Sequence, residues 1–310
     1  MFKWNRILVA LIGVPLLVFI CTNISLKGFP LLIFSLFVVG VGLSEFYKMI
    51  EVSGMTVYKK FGILVGLIVV LTSYQLNLEQ SFLDATGGIN KFLVFFNYYY
   101  GRLGLDIKLI LVLSSLSLLV YRVLKNQIKG TLSSISYTIL GIIYVAVFFS
   151  EIINLYFTDY FYYEISGFKP RLTLIMILQI LVWVSDTTAG IVGVGIGRKF
   201  FKDGFTEISP KKSVEGAIGS LLFTGLACLV LAFIESGVKL GIKEMIFSFL
   251  IGVIISFVAQ IGDLVESLFK RECGVKDSGT ILMGHGGVLD RFDSMLLVLP
   301  FVSLFISFVR

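Results

Sequence analysis

Histidine is almost absent from this chain: its 310 residues contain one, His285. A metal centre built from several imidazoles is thereby excluded. Cysteine is scarce as well. Cys21, Cys228 and Cys273 fall on two apolar runs and one polar loop with no ligand-like spacing, which argues against both zinc and disulfides. Charged residues make up only 15% of the sequence, and there is no Pro/Ser-rich linker or low-complexity block. These absences leave no room for a separate soluble domain, and the chain reads as one helical bundle with loops.

What is present is hydrocarbon-compatible sequence. The chain is 57% hydrophobic, with a mean hydropathy of +0.96, far above what a soluble core needs. Apolar runs recur at 7–22, 29–43, 61–73, 109–124, 135–157, 172–185, 217–234, 245–262 and 288–309. Because a span takes about 20 residues, the runs at 61–73 and 172–185 are the shortest candidates. Lys3 and Arg6 precede the first run as in a signal peptide, but no small-residue cleavage site follows, so that run reads as a retained span. With the N-terminus inside and nine spans, 17 of the 26 Lys and Arg fall on the inner side, at the N-terminus and around Lys48, Arg122, Lys202 and Lys276. Inner loops of membrane proteins carry such an excess, so the net charge of +6 reads as topology, N-in and C-out, and no nucleic-acid partner is expected. The expected fold is an all-α integral membrane protein, a polytopic bundle of about nine transmembrane helices.

The two parts of the chain differ in polarity. Residues 1–170 show almost no polar clusters and read as scaffold spans. Residues 171–310 carry "VSDTTAG", "ISPKKSVEG" and the polar stretch 267–293, and read as the working region. The long outer connection 77–106 contains "FLVFFNYYY", aromatic-rich as interfacial segments are. Gly193 and Gly197 form a small-xxx-small pair, which points to close helix packing.

Chemistry concentrates at the end of the eighth run. If that helix continues, Asp263, Glu266, Ser267, Lys270 and Arg271 share an arc of about 140°, with Asp263 near the headgroup boundary and the cations just beyond. A plain reading is snorkelling cations paired i,i+4 with Glu266. Downstream, Asp290 and Asp293 share a face beside Arg291. Clustered carboxylates at a membrane span suit a hard cation, so Asp263, Asp290 and Asp293 are candidate metal ligands, although either of the last two could instead cap a helix. Gly286 and Gly287 would let backbone amides approach an anion. His285 is either a phosphate or base contact or a polar loop residue. Upstream, Lys211 and Lys212 flank a Pro-fixed turn, and Asp186 lies about 22 Å of helix beyond Arg171, deep enough to need a partner or an aqueous cleft. Cations at Lys211, Lys212, Lys270, Arg271, Lys276 and Arg291, with these acids, describe a site for a polyphosphate carrying metal.

The sequence Ser267-x-Phe269-Lys270-Arg271, four residues, Lys276-Asp277-x-Gly279, then His285-Gly286-Gly287-x-x-Asp290-Arg291-x-Asp293 resembles the signature of the phosphatidate cytidylyltransferase family. The resemblance extends to Gly262-Asp263-x-x-Glu266-Ser267 and to Ser209-Pro210-Lys211-Lys212. Two departures stand out: Ser213-Val214 where the family shows Thr-Trp, and Gly190 where it shows an aromatic. The resemblance implies condensation of CTP with phosphatidate to CDP-diacylglycerol and pyrophosphate in phospholipid biosynthesis, at an active site on the cytoplasmic membrane interface. It implies Mg²⁺ or Mn²⁺, with a second metal left open. It further implies catalytic roles for Lys270, Arg271, Lys276, Asp277, His285 and Arg291, and substrate or cofactor contacts from Asp186, Ser209, Lys211, Lys212, Gly286 and Gly287. The expected partners are CTP, phosphatidate and the bilayer, in the inner membrane if the source is bacterial, with homodimerisation open. Phosphatidate already carries an anionic oxygen, so no Ser or Cys nucleophile is needed; repulsion between two anions is the obstacle, and metal ions and Lys/Arg clamps answer it. The rival readings are another CTP-using lipid enzyme, such as a polyprenol or dolichol kinase or a CDP-archaeol synthase, and a transporter. The last is disfavoured because polar residues collect at one face and the halves show no repeat.

Overall fold

The computed structural model describes residues 15, 17–20, 26–86, 106–166, 172–201, 204–236, 240–281 and 286–309. Among these residues the secondary structure is helical, apart from one isolated antiparallel bridge between Gly204 and Ser213. The helices are α1 (Phe29–Val52), α2 (Lys59–Thr86), α3 (Ile107–Leu124), α4 (Thr131–Gly141), α5 (Phe148–Ser166), α6 (Leu174–Ile196), α7 (Val214–Ser236), α8 (Ile242–Glu272) and α9 (Leu289–Val309). A π-helical turn, Ile142–Val147, joins α4 to α5 into one span. Among the described residues eight stretches are long and apolar enough to cross a bilayer, and they coincide with the expected runs from 29–43 onward. The span expected at 7–22 lies mostly, and the aromatic segment 92–100 wholly, outside the described residues.

The chain is thus a multi-pass, all-helical membrane protein, and it divides into two compact units. The first comprises residues 1–165 together with 277–290; the second comprises 166–276 and 291–310.

In the first unit α1 runs through the interior. Leu43, Val39 and Tyr47 on α1 are fully buried, with Val69 and Val70 of α2 and Phe149 and Ile153 of α5. The Tyr47 hydroxyl donates to the Thr138 carbonyl at 2.8 Å, satisfying the one polar atom of a large buried ring. Gly62 and Gly141 make the space: a Cβ at either would run into that ring.

In the second unit small residues let helices approach in a medium that offers no hydrophobic drive between them. A Cβ at Gly216 of α7 would lie 2.7 Å from the Ala189 carbonyl of α6, and one at Gly252 of α8 would lie 2.6 Å from the Thr224 carbonyl of α7. One at Gly262 of α8 would lie 2.8 Å from the Asp293 carbonyl of α9. Gly193 packs against Gly216, in keeping with a packing role, whereas Gly197 terminates α6, its N–H donating to the Gly193 carbonyl at 3.1 Å.

Candidate active site

The second unit holds the polar centre, and its construction starts with Glu215. This buried carboxylate in the first turn of α7 gathers three backbone amides: Arg198 N–H donates to Oε2 at 3.0 Å, and Phe200 and Phe201 N–H donate to Oε1 at 2.8 and 2.9 Å. The Ser213 hydroxyl accepts from Gly216 N–H at 3.1 Å and caps the same helix. The connection from α6 to α7 is further tied by Phe205 N–H to the Lys212 carbonyl at 2.9 Å, by Lys212 N–H to the Ser209 carbonyl at 3.0 Å, and by the Arg198 guanidinium donating to the Pro210 carbonyl. Ser209 therefore shapes the turn through its backbone, and Lys211 and Lys212 are presented from a fixed loop.

That loop delivers Lys212 to α8. Lys212 Nζ lies 2.6 Å from Asp263 Oδ2, with both side chains about one-third exposed. Asp263 Oδ1 accepts from the Ser267 hydroxyl one turn on, at 3.3 Å. Around this pair opens a cavity of about 340 Å³ lined by Asp186, Lys211, Lys212, Asp263, Gln260 and the small residues Ala189, Gly190, Gly193 and Gly216. Gly190, where the family has an aromatic, adds to its width: nothing lies within 4 Å of a Cβ placed there. Asp186 interacts electrostatically with Asp293, Asp263 and Lys212, and Asp293 with Asp263 and Lys270. Three helices, α6, α8 and α9, thus each bring one aspartate into a shared field.

Gln260 was not singled out from the sequence. Its amide donates to the Ser220 hydroxyl at 2.8 Å and the Ala217 carbonyl at 3.3 Å, and Ser256 meets Ser185 at 2.8 Å, so a hydrogen-bonded ladder supports the cavity wall between α6, α7 and α8. Interhelical bonds of this type contribute on the order of 0.6 kcal/mol each in bilayers and fix helix register. Nearer the helix end, Lys270 pairs with the wholly buried Glu266 at 3.1 Å, the i,i+4 arrangement that continuation of α8 predicts. Arg271, Lys276 and Arg291 are exposed.

The rest of the signature belongs to the first unit. Asp290 Oδ2 accepts from Ser278 N–H at 2.9 Å, Ser278 hydroxyl at 2.8 Å and Gly287 N–H at 2.7 Å, so in this geometry Asp290 fastens its own loop, while Asp293 joins the aspartates of the second unit. Gly286 sits at φ +80°, and a Cβ on Gly287 would strike the Ser278 hydroxyl. Asp277 is exposed, and His285 lies outside the described residues. A residue from the scaffold spans completes the loop. Glu45 of α1, 4% exposed, accepts from Leu289 N–H at 2.9 Å and from the Ser278 hydroxyl at 3.4 Å. Its separation of more than 230 residues from both partners hid it from sequence reasoning.

Tested against a hard divalent cation, Asp186, Asp263 and Asp293 are donors of the right chemistry, carboxylate oxygens with mutually unfavourable charge. Among the described residues no three such side chains close into a ligand set, and Lys212 supplies the positive charge beside Asp263.

Spanning helices that bring lysines and aspartates to one cavity make a polar centre in a membrane protein, chemistry suited to an anionic ligand. Residues 4–309 match the model of the cytidylyltransferase family. The chain belongs to that family. It is 33% identical over 275 residues to the phosphatidate cytidylyltransferase of Bacillus subtilis (strain 168), covering 88% of each chain. It is also 36% and 37% identical to the phosphatidate cytidylyltransferases of Staphylococcus saprophyticus and Staphylococcus haemolyticus, each over 63% of this chain and 67% of the relative.

Proposed function

We propose that this protein is a CTP:phosphatidate cytidylyltransferase, a membrane nucleotidyltransferase of phospholipid biosynthesis. A phosphate oxygen of phosphatidate attacks the α-phosphorus of CTP, the bond from that phosphorus to the bridging oxygen breaks, and pyrophosphate leaves. The observation that carries this reading is the Lys212–Asp263 pair, which brings the fixed lysine loop and the signature helix together at one cavity. In this reading Lys211 and Lys212 neutralise phosphate oxygens of the nucleotide, and Lys270, which pairs with Glu266 at the end of α8, exchanges that partner for the lipid phosphate. Asp263 and Asp293, in one field with Asp186, would hold Mg²⁺ or Mn²⁺, which when bound neutralises the phosphate oxygens that the lysines leave uncovered. Arg271, Lys276 and Arg291 extend the positive rim that draws CTP to the membrane surface.

The test is product analysis. Purified protein in lipid, given labelled CTP, phosphatidate and Mg²⁺, is expected to form labelled CDP-diacylglycerol and pyrophosphate, and none in excess chelator. Release of CDP with phosphoryl transfer to a lipid alcohol would overturn this reading in favour of a kinase, and a robust rate in chelator would overturn the metal dependence.

A further inference from the structure

A second cavity, of about 690 Å³, lies in the first unit, where α1 ends, α2 begins, α3 ends and α4 begins. Since these are the ends of candidate spans, it sits at a membrane boundary. Its walls include Thr56, Tyr58, Arg122, Gln127, Lys129 and Ser134. Arg122 is 9% exposed, and among the described residues no carboxylate lies within ion-pair distance of it.

The guanidinium does have neutral partners. Its terminal nitrogens donate to Gln127 Oε1 at 3.0 Å, the Lys129 carbonyl at 3.4 Å, the Gly130 carbonyl at 3.3 Å and the Ser134 hydroxyl at 2.7 Å, and it stands over the Tyr58 ring at 5.4 Å. This staples the turn between α3 and α4. Dipoles and a ring face satisfy N–H groups but do not cancel a full buried charge, and Lys129 adds a second cation to the same wall. Two buried polar atoms here, Arg122 Nε and the Tyr58 hydroxyl, have no hydrogen-bond partner. Unused donors beside an uncompensated cation call for an anion with several acceptor oxygens. The surroundings indicate which anion. Val123, Leu124, Ile128 and Leu132 beside the cavity are 78 to 85% exposed, an apolar skirt that a soluble anion would not use.

We propose that this cavity binds the phosphate headgroup of an anionic glycerophospholipid that is not a substrate, with its acyl chains lying along Val123, Leu124, Ile128 and Leu132. Arg122 and Lys129 supply the charge, and Arg122 Nε and the Tyr58 hydroxyl donate to phosphate oxygens. The site shares no residue with the Lys212–Asp263 cavity.

The experiment is native mass spectrometry of the full chain, released from neutral detergent, with phosphatidylglycerol as probe. Phosphatidylglycerol is a phosphodiester and lacks the phosphomonoester oxygen the reaction uses. Phosphatidylcholine and inorganic phosphate serve as comparisons. The wild type is expected to retain one phosphatidylglycerol in preference to phosphatidylcholine. Y58F, which keeps the ring under Arg122, should weaken retention about tenfold, as loss of one hydrogen bond to a charged group does, and R122Q should abolish it. Asp263→Asn should bind like the wild type. If R122Q fails to fold, Y58F decides alone. Equal retention by Y58F and wild type, loss of retention in Asp263→Asn, or displacement of the lipid by millimolar inorganic phosphate would each overturn the proposal.

Discussion

At Asp263 two neighbours hold one carboxylate: Lys212 Nζ against Oδ2 and the Ser267 hydroxyl against Oδ1. Asp263→Asn keeps the volume and the serine contact but deletes the charge, so turnover should fall on the order of 100-fold while the protein stays folded. Near-normal turnover at limiting Mg²⁺ would reduce the carboxylate to a partner for Lys212. Glu45 makes a different prediction, about stability. Removing it strands a buried amide at Leu289, so Glu45→Ala should lower stability by about 2 kcal/mol, read as a lower thermal midpoint in detergent. These two residues also mark what sequence could and could not show. Asp263 is legible because it stands with Glu266, Ser267, Lys270 and Arg271 in one short polar run. Glu45 is one acid in an apolar helix, and nothing local announces that its partners lie more than 230 positions away.

Among the elements, α8 and α9 bear most directly on chemistry because they meet through a glycine. At Gly262 a Cβ would also lie 2.9 Å from Ser294 Cα, so Gly262→Ala must push α9 away together with Asp293. Overpacking of this kind costs about 1 to 3 kcal/mol. Turnover of this variant should fall and its Mg²⁺ requirement rise although no acid or lysine has changed; an unchanged Mg²⁺ dependence would separate Asp293 from the metal. Hydropathy located these helices but underestimated their length. The run at 245–262 is the apolar core of a 31-residue helix, because the last turns of α8 are polar and paired within themselves. Likewise α2 continues to Thr86, past the position 77 at which a loop was expected. The π-helical turn Ile142–Val147 leaves no trace in a uniformly apolar sequence, because backbone hydrogen-bond register is not encoded in hydropathy.

For the whole molecule, the alternation of spans makes a statement about sidedness. Lys211 and Lys276 are separated by α7 and α8 and should lie on one side of the membrane, with Arg310 beyond α9 on the other. Single-cysteine variants at the three positions, labelled with an impermeant maleimide in sealed vesicles, check this; labelling of Lys211→Cys and Lys276→Cys from opposite faces would dismantle the single site. The tie from Glu45 to Leu289 also sets a timetable for biogenesis. With the partners 244 positions apart and synthesis at roughly 5 to 20 residues per second, α1 must wait tens of seconds in the translocation machinery or the bilayer before its carboxylate meets the amide made for it. Until the ribosome has delivered α9, the nascent chain carries an acid in α1 whose partner has not yet been made, so a helix that settles early is completed late.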